Sequence, residues 1–116
     1  MSAPNSVRPM AASEAVAKAA TGDIALLDVR ETAELQASGK AHGAHHVPLG
    51  LVSAKLHHTA PDLPEGLTKD TPIAIYCAKG GRAQQAAAQL ADMGYTQVFN
   101  IGGFEDWCAA GGKIED

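Results

Sequence analysis

Two nearly continuous apolar runs, IALLDV at residues 24–29 with Asp28 near its end and IAIY at residues 73–76, constrain this chain more than any other feature. Neither alternates polar with apolar residues, so neither suits a strand with one wet face. Each reads as a strand buried on both faces, the habit of a parallel sheet. Parallel strands need crossover connections, and helical segments follow both runs: ETAELQASG at 31–39, and a clear helix over 82–93 with Gly94 at its stop position. AHHVPL (44–49, stopped by Pro48) and QVFNI (97–101) predict further strands. SVRPM (6–10) fits a short edge strand, because Pro9 bars a central one. Ser13 is expected to cap a helix that reaches Ala20 and stops at Gly22. GLVSAKLHH (50–58) predicts a helical turn or two, residues 59–72 a proline-punctuated loop, and GGFEDWCAAGG (102–112) a last short helix between glycines. This alternation predicts an α/β domain with a mostly parallel sheet and helices on both faces.

A chain of 116 residues suits one domain, here 6–116 after a loose terminus at 1–5. Hydrophobic residues are 46% but aromatics only 4%, so the core must be aliphatic and alanine-filled. The net charge of −4 argues against nucleic acid as a partner, since phosphate binding needs clustered cations. No apolar run spans a bilayer, and the start lacks the basic-then-apolar order of an export signal. A soluble, cytoplasmic monomer is the expectation. Two cysteines, Cys77 and Cys108, make no disulfide framework, so unpaired thiols are expected.

Cys77 stands where the best strand ends, and ligands of open α/β sheets bind beyond the carboxyl ends of strands. Ala78, Lys79, Gly80, Gly81 and Arg82 follow, and then a helix begins. Small residues let successive N–H groups turn inward as an anion nest, and the helix N-terminus adds partial positive charge. Lys79 and Arg82 add two full cations, with no carboxylate between Ile73 and Gln89 in the sequence. Every one of these features favours a thiolate, so Cys77 is the candidate nucleophile and the five residues after it the candidate anion-binding loop. The alternative is a cysteine that merely packs.

Asp28 and Arg30 end the neighbouring strand. Either they contact a donor or, the reading the residues favour, they pin the next helix and brace the cysteine loop by hydrogen bonds. Trp107 is expected to anchor the last helix. Cys108 beside it reads as a small buried packing residue, with a resolving thiol as the alternative. Gly102 and Gly103 are expected to make a tight turn against the cysteine loop. His42, His45, His46, His57 and His58 complete no metal-ligand spacing, and no metal or cofactor is expected.

Four blocks together identify the sequence as resembling the single-domain rhodanese (thiosulfate sulfurtransferase) family. CAKGGRA (77–83) resembles its cysteine loop and LLDVRETAEL (26–35) its strand-and-helix signature. GKAHGAHHVPLG (39–50) and GYTQVFNIGGFEDWCAAGG (94–112) resemble its glycine–alanine segment and closing tryptophan helix. One departure stands out: Lys40 and Ala41 replace the usual histidine and bulky aliphatic, and His42 precedes the glycine. The resemblance implies a rhodanese-like fold with a five-stranded sheet. It implies transfer of a sulfane sulfur from thiosulfate or another persulfide donor to cyanide or a thiol, through a Cys77 persulfide. A carrier that hands the sulfur to a protein partner is the alternative, and a non-catalytic interaction module a lesser one. Cell-cycle-type phosphatases resemble rhodaneses but have one more residue in the loop. The six positions from Cys77 to Arg82 are the shorter form and argue against phosphate-ester chemistry.

Overall fold

The computed structural model describes residues 7–61, 63–64 and 66–115, so the terminus expected at 1–5 lies outside the described residues. Five parallel strands form the central sheet: β1 (Val7–Pro9), β2 (Ala25–Asp28), β4 (His45–His46), β5 (Ile73–Cys77) and β6 (Val98–Gly103), in spatial order β1-β6-β5-β2-β4. The two apolar runs lie side by side in its middle, with Leu27 against Ile75 and Asp28 against Tyr76. Pro9 sits on the edge strand, where a missing N–H costs no ladder bond.

The pleat of β5 divides the core in two. Ile73, Ile75 and Cys77 face a cluster built with Ala83, Ala86, Ala87 and Leu90 of helix α4 (Gly81–Asp92) and with Val52 and Leu56 of α3 (Val52–Leu56). Ala74 and Tyr76 face the other cluster, with Ala15 of α1 (Ala12–Ala20) and Trp107 of α5 (Phe104–Ala109). The alanine face of α4 lets that helix approach the sheet closely, which is how a core with so few aromatics fills its space. Trp107 anchors α5: it is buried, and its indole Nε1 donates to the Lys113 carbonyl at 2.8 Å.

Two local expectations are corrected, and one small sheet is added. Helix α1 starts at Ala12 with Ala11 as an N-cap that offers no side-chain bond, so Ser13 lies in the first turn and caps nothing. Met10 is still bonded to the Asn100 carbonyl, so the chain leaves the edge strand only two residues before the helix starts. Cys108 is exposed on α5 rather than packed. It stands on the helix covering the opposite sheet face from the cluster that holds Cys77, a poor placement for a resolving thiol. A small second sheet, β3 (Lys40–Ala41) antiparallel to β7 (Ile114–Glu115), has no counterpart in the sequence reading. It accounts for the departure at Lys40 and Ala41. Lys40 Nζ pairs with Glu115 at 2.9 Å, and fully buried Ala41 donates its N–H to the Tyr76 hydroxyl at 2.9 Å.

Candidate active site

Strand β5 ends at Cys77, and α4 begins four residues later with Gly80 as N-cap. Gly80 has φ +112°, a left-handed conformation that glycine adopts freely. That turn aims the Gly80 N–H at Cys77 Sγ at 2.9 Å, and the Ala83 N–H from the first turn of α4 approaches it at 3.4 Å. Among the described residues these are the two amides hydrogen-bonded to the sulfur. The expected ring of five amides, 78–82, is therefore narrower, and it includes Ala83, one residue beyond the span read from sequence. Cys77 itself is only 1% exposed. The sulfur lies at the floor of the loop rather than in open reach of solvent. A second sulfur bonded to it would lie about 2 Å from Sγ.

The opposite wall is built by β6. The register shifts between Ile75 and Cys77, so that Cys77 pairs with Gly103, and the bulge is carried by Gly102 at φ +93°. The bulge presses backbone against backbone: a Cβ on Gly103 would lie 2.2 Å from the Ala78 carbonyl oxygen. Gly102 and Gly103 therefore abut the cysteine loop, as expected, but as the bulged end of β6 rather than as a tight turn. Gly103→Ala is expected to push that loop aside. The overpacking should cost about 1–3 kcal/mol in a urea titration, and whatever activity rests on the Cys77 cradle should fall at least tenfold, on the order of 1.4 kcal/mol.

Asn100, which sequence reasoning passed over, joins the two walls. Its Nδ2 donates to the Gly80 carbonyl and to Gln84 Oε1, both at 3.1 Å, and its Oδ1 accepts the Gly102 N–H at 2.9 Å. Only a side-chain amide in this place donates to the loop while accepting from the bulge. The polar residue inside QVFNI was the available signal.

Arg82 is not a free cation. Glu34, from α2 (Thr32–Ser38), accepts its two guanidinium nitrogens at 2.6 and 2.8 Å. The absence of a nearby carboxylate in sequence did not hold in space, because α2 crosses over and delivers one. The Arg82 hydrogen bonds hold the Glu34 carboxyl down to about 2. With the folded value lowered from an ordinary 4.5, the pair contributes stability that is present above pH ~4.5 and lost as pH falls toward 2. Glu34→Gln is expected to lower the urea midpoint at pH 7 by an amount under about 1 kcal/mol, the range of a half-exposed pair. The gap to the wild type should narrow below pH ~4.5 and close as pH falls to about 2, and a gap independent of pH would refute the pairing.

Asp28 and Arg30 form a buried fork at the end of β2. Arg30 Nε lies 3.1 Å from both Asp28 oxygens and one terminal nitrogen 2.9 Å from Oδ2. The rest of the guanidinium donates to Ser38 Oγ and the Gly39 carbonyl, which ties β2 to the end of α2. Its Cζ lies 4.3 Å from the ring centroid of Phe104, the residue after Gly103. So the fork pins α2 by hydrogen bonds and braces the cysteine-loop side by packing on Phe104, not by hydrogen bonds to the loop. Burial works against the Arg30 charge, but the hydrogen bond and charge of Asp28 outweigh it and hold the guanidinium above its ordinary value. Burial, with the same carboxylate, pushes the Tyr76 phenol up. No trio of His, Cys, Asp or Glu able to hold a metal occurs among the described residues.

Lys79 sits exposed at the loop tip, with no hydrogen bond or ion pair among the described residues. The site thus presents a sulfur under two amides, a clamped arginine behind it and a free lysine at the rim.

Known proteins resemble this chain. A sulfurtransferase of Allochromatium vinosum is 34% identical over 92 residues, 78% of each chain. The thiosulfate sulfurtransferase GlpE of Tolumonas auensis is 32% identical over 85 residues, 72% of each chain. A solved Rhodopseudomonas palustris protein of unknown function, described as a possible tyrosine phosphatase, superposes with a TM-score of 0.83 at 31% identity, over 97% of this chain and 88% of that one. The family model of the rhodanese-like domain matches residues 11–110, a span that includes the cysteine loop: the chain belongs to the rhodanese-like domain family.

Proposed function

We propose that this protein is a sulfurtransferase that carries a sulfane sulfur on Cys77. The Cys77 thiolate attacks the outer sulfur of thiosulfate or a similar persulfide donor. The donor's S–S bond breaks, its electron pair leaves on sulfite from thiosulfate or on the donor's thiolate from a persulfide, and Cys77 holds a persulfide. A thiolate or cyanide acceptor then attacks the terminal sulfur, and the bond pair returns to Cys77 as thiolate. Two easy displacements replace one difficult transfer, and neither requires a general base. The observation that carries this reading is the pair of amides, Gly80 and Ala83, aimed at Sγ. They stabilise negative charge there without reorganisation. Sulfurtransferase relatives of similar length support the reaction class.

The test is intact mass after incubation with thiosulfate. A gain of one sulfur atom, reversed by a thiol, supports the reading, and no gain from any sulfane donor refutes it. Lys79→Ala is expected to raise the KM for thiosulfate several-fold, with an effect that shrinks as salt is added, because an exposed cation acts by steering. The Rhodopseudomonas likeness favours a second reading, phosphate-ester hydrolysis, at the same cysteine. A six-position loop makes a narrower cradle than that chemistry uses. Turnover of p-nitrophenyl phosphate without sulfur uptake would select it. If sulfur leaves Cys77 only for a protein thiol, the protein is a carrier rather than a thiosulfate:cyanide enzyme.

A further inference from the structure

The loop that holds Cys77 carries two cations, Lys79 and Arg82, and the fold treats them differently. Lys79 is exposed at the loop tip, with no ion pair among the described residues. Arg82 gives both terminal nitrogens to one carboxylate, to Glu34 Oε1 at 2.6 Å and Oε2 at 2.8 Å. Such a two-point pair is short and strong, and its opposite charges largely cancel for a third group beyond it. Glu34 is itself fixed in place: Oε1 also accepts the Glu31 N–H at 2.8 Å, where α2 begins.

This pair stands beside the sulfur. Arg82 directly precedes Ala83, whose N–H approaches Cys77 Sγ at 3.4 Å. The Glu34 hydrogen bond first, and then the charges of Glu34, Cys77 and Glu31, hold the Arg82 guanidinium above its ordinary value. The guanidinium is therefore within electrostatic reach of the sulfur, and so is the carboxylate that cancels it. The next arginine toward α2, Arg30, is cancelled in the same way by buried Asp28 at 2.9 Å. Of the loop's own cations, only Lys79 keeps its full charge for an incoming anion. Coulomb attraction scales with the charge of the incoming group, so an uncancelled Arg82 would favour a dianion twice as strongly, in free energy, as a monoanion.

We infer that Glu34 sets the charge preference of the cysteine site: by cancelling Arg82 it holds back doubly charged oxyanions relative to singly charged sulfur donors. The inference rests on the sulfur-transfer reading of Cys77 and adds to it a residue that selects among donors. Glu34 touches no reacting atom. It acts through Arg82 and is a specificity residue, not a catalytic one.

The test uses the full chain and two donors that differ by one charge. Thiosulfate is a dianion, and methanethiosulfonate is a monoanion with a methyl group in place of one oxygen. Cys77 attacks the outer sulfur of either, the S–S bond breaks, and the electron pair leaves on sulfite or on methanesulfinate. In Glu34→Gln, which keeps the shape and loses the charge, the ratio of kcat/KM for thiosulfate to that for methanethiosulfonate should rise about threefold. That is the order of effect of one unit charge acting through a water-like dielectric within a Debye length, and it should shrink as salt is added. Glu34→Asp keeps the charge, so its ratio should stay near the wild type even if both rates fall. A carboxylate that only braces the loop would lower both rates and leave the ratio unchanged in Glu34→Gln, and that result overturns the inference while sulfur transfer stands. A second readout needs no sulfur transfer: the rate of Cys77 alkylation by iodoacetate relative to iodoacetamide, followed by peptide mass. These reagents also differ by one charge, so this ratio should rise by a similar factor in Glu34→Gln, and an unchanged ratio overturns the charge assignment. If neither donor leaves sulfur on Cys77 while the alkylation ratio rises, the sulfur-transfer reading falls and the influence of Glu34 on anions at Cys77 is upheld.

Discussion

Cys77→Ala is expected to take up no sulfur and to show no transfer above background, while remaining folded. The residue supplies the one nucleophilic atom held beneath the Gly80 and Ala83 amides, and nothing else in the site can accept a covalent sulfur. Its exposed counterpart, Cys108, stands on the other side of the sheet and should not substitute for it. Truncation also removes the acceptor from two loop amides, so the alanine variant should be less stable than the wild type by about 1–3 kcal/mol. Cys77→Ser separates the two effects. A hydroxyl can still accept those N–H groups, so the serine variant should recover much of the stability and none of the transfer. Measured transfer in either variant would sink the covalent reading. Inactivity in the alanine variant together with full activity in the serine variant would reassign the residue to a structural part.

The sequence carried the sheet and the nucleophile because each rests on local chemistry. IAIY could be little else than a buried strand, and a cysteine followed by two glycines, two cations and a helix start is a local pattern. What it did not carry is what folding brings from elsewhere. Glu34 lies 48 residues from Arg82 in sequence, so the clamp that turns a supposed donor-binding cation into a brace is invisible until α2 crosses over. Asn100 and the bulge at Gly102 depend on a register shift between two parallel strands, and no short pattern reports register. The pairing of β3 with β7 joins two-residue strands 75 positions apart. Exposure of Cys108 went the same way: residue type favoured burial, but the face of α5 that packs is decided by Trp107.

The largest loss of stability is expected from the fork at the end of β2. Asp28 is fully buried and Arg30 is 3% exposed, so water cannot screen either charge. Asp28→Asn keeps the shape but removes the carboxylate, leaving a buried guanidinium with no counter-ion. Breaking such a pair from one side costs about 3–5 kcal/mol, a large part of the 5–15 kcal/mol that holds an ordinary domain together. The urea midpoint should fall accordingly with the slope unchanged. An apolar double replacement, Asp28→Leu with Arg30→Met, discriminates between two roles. If the fork serves only stability, removing both charges should restore the midpoint and the activity together. If it also positions the site, the midpoint should recover while activity stays low. The ties to Ser38, to Gly39 and to the ring of Phe104 beside Gly103 would then be gone. The geometry favours the second outcome: Arg30 Cζ lies 4.3 Å from the Phe104 ring centroid, one residue from the backbone that abuts the cysteine loop. A methionine cannot stack there as a guanidinium does, so sulfur uptake at Cys77 should remain slow in a protein that is once again stable.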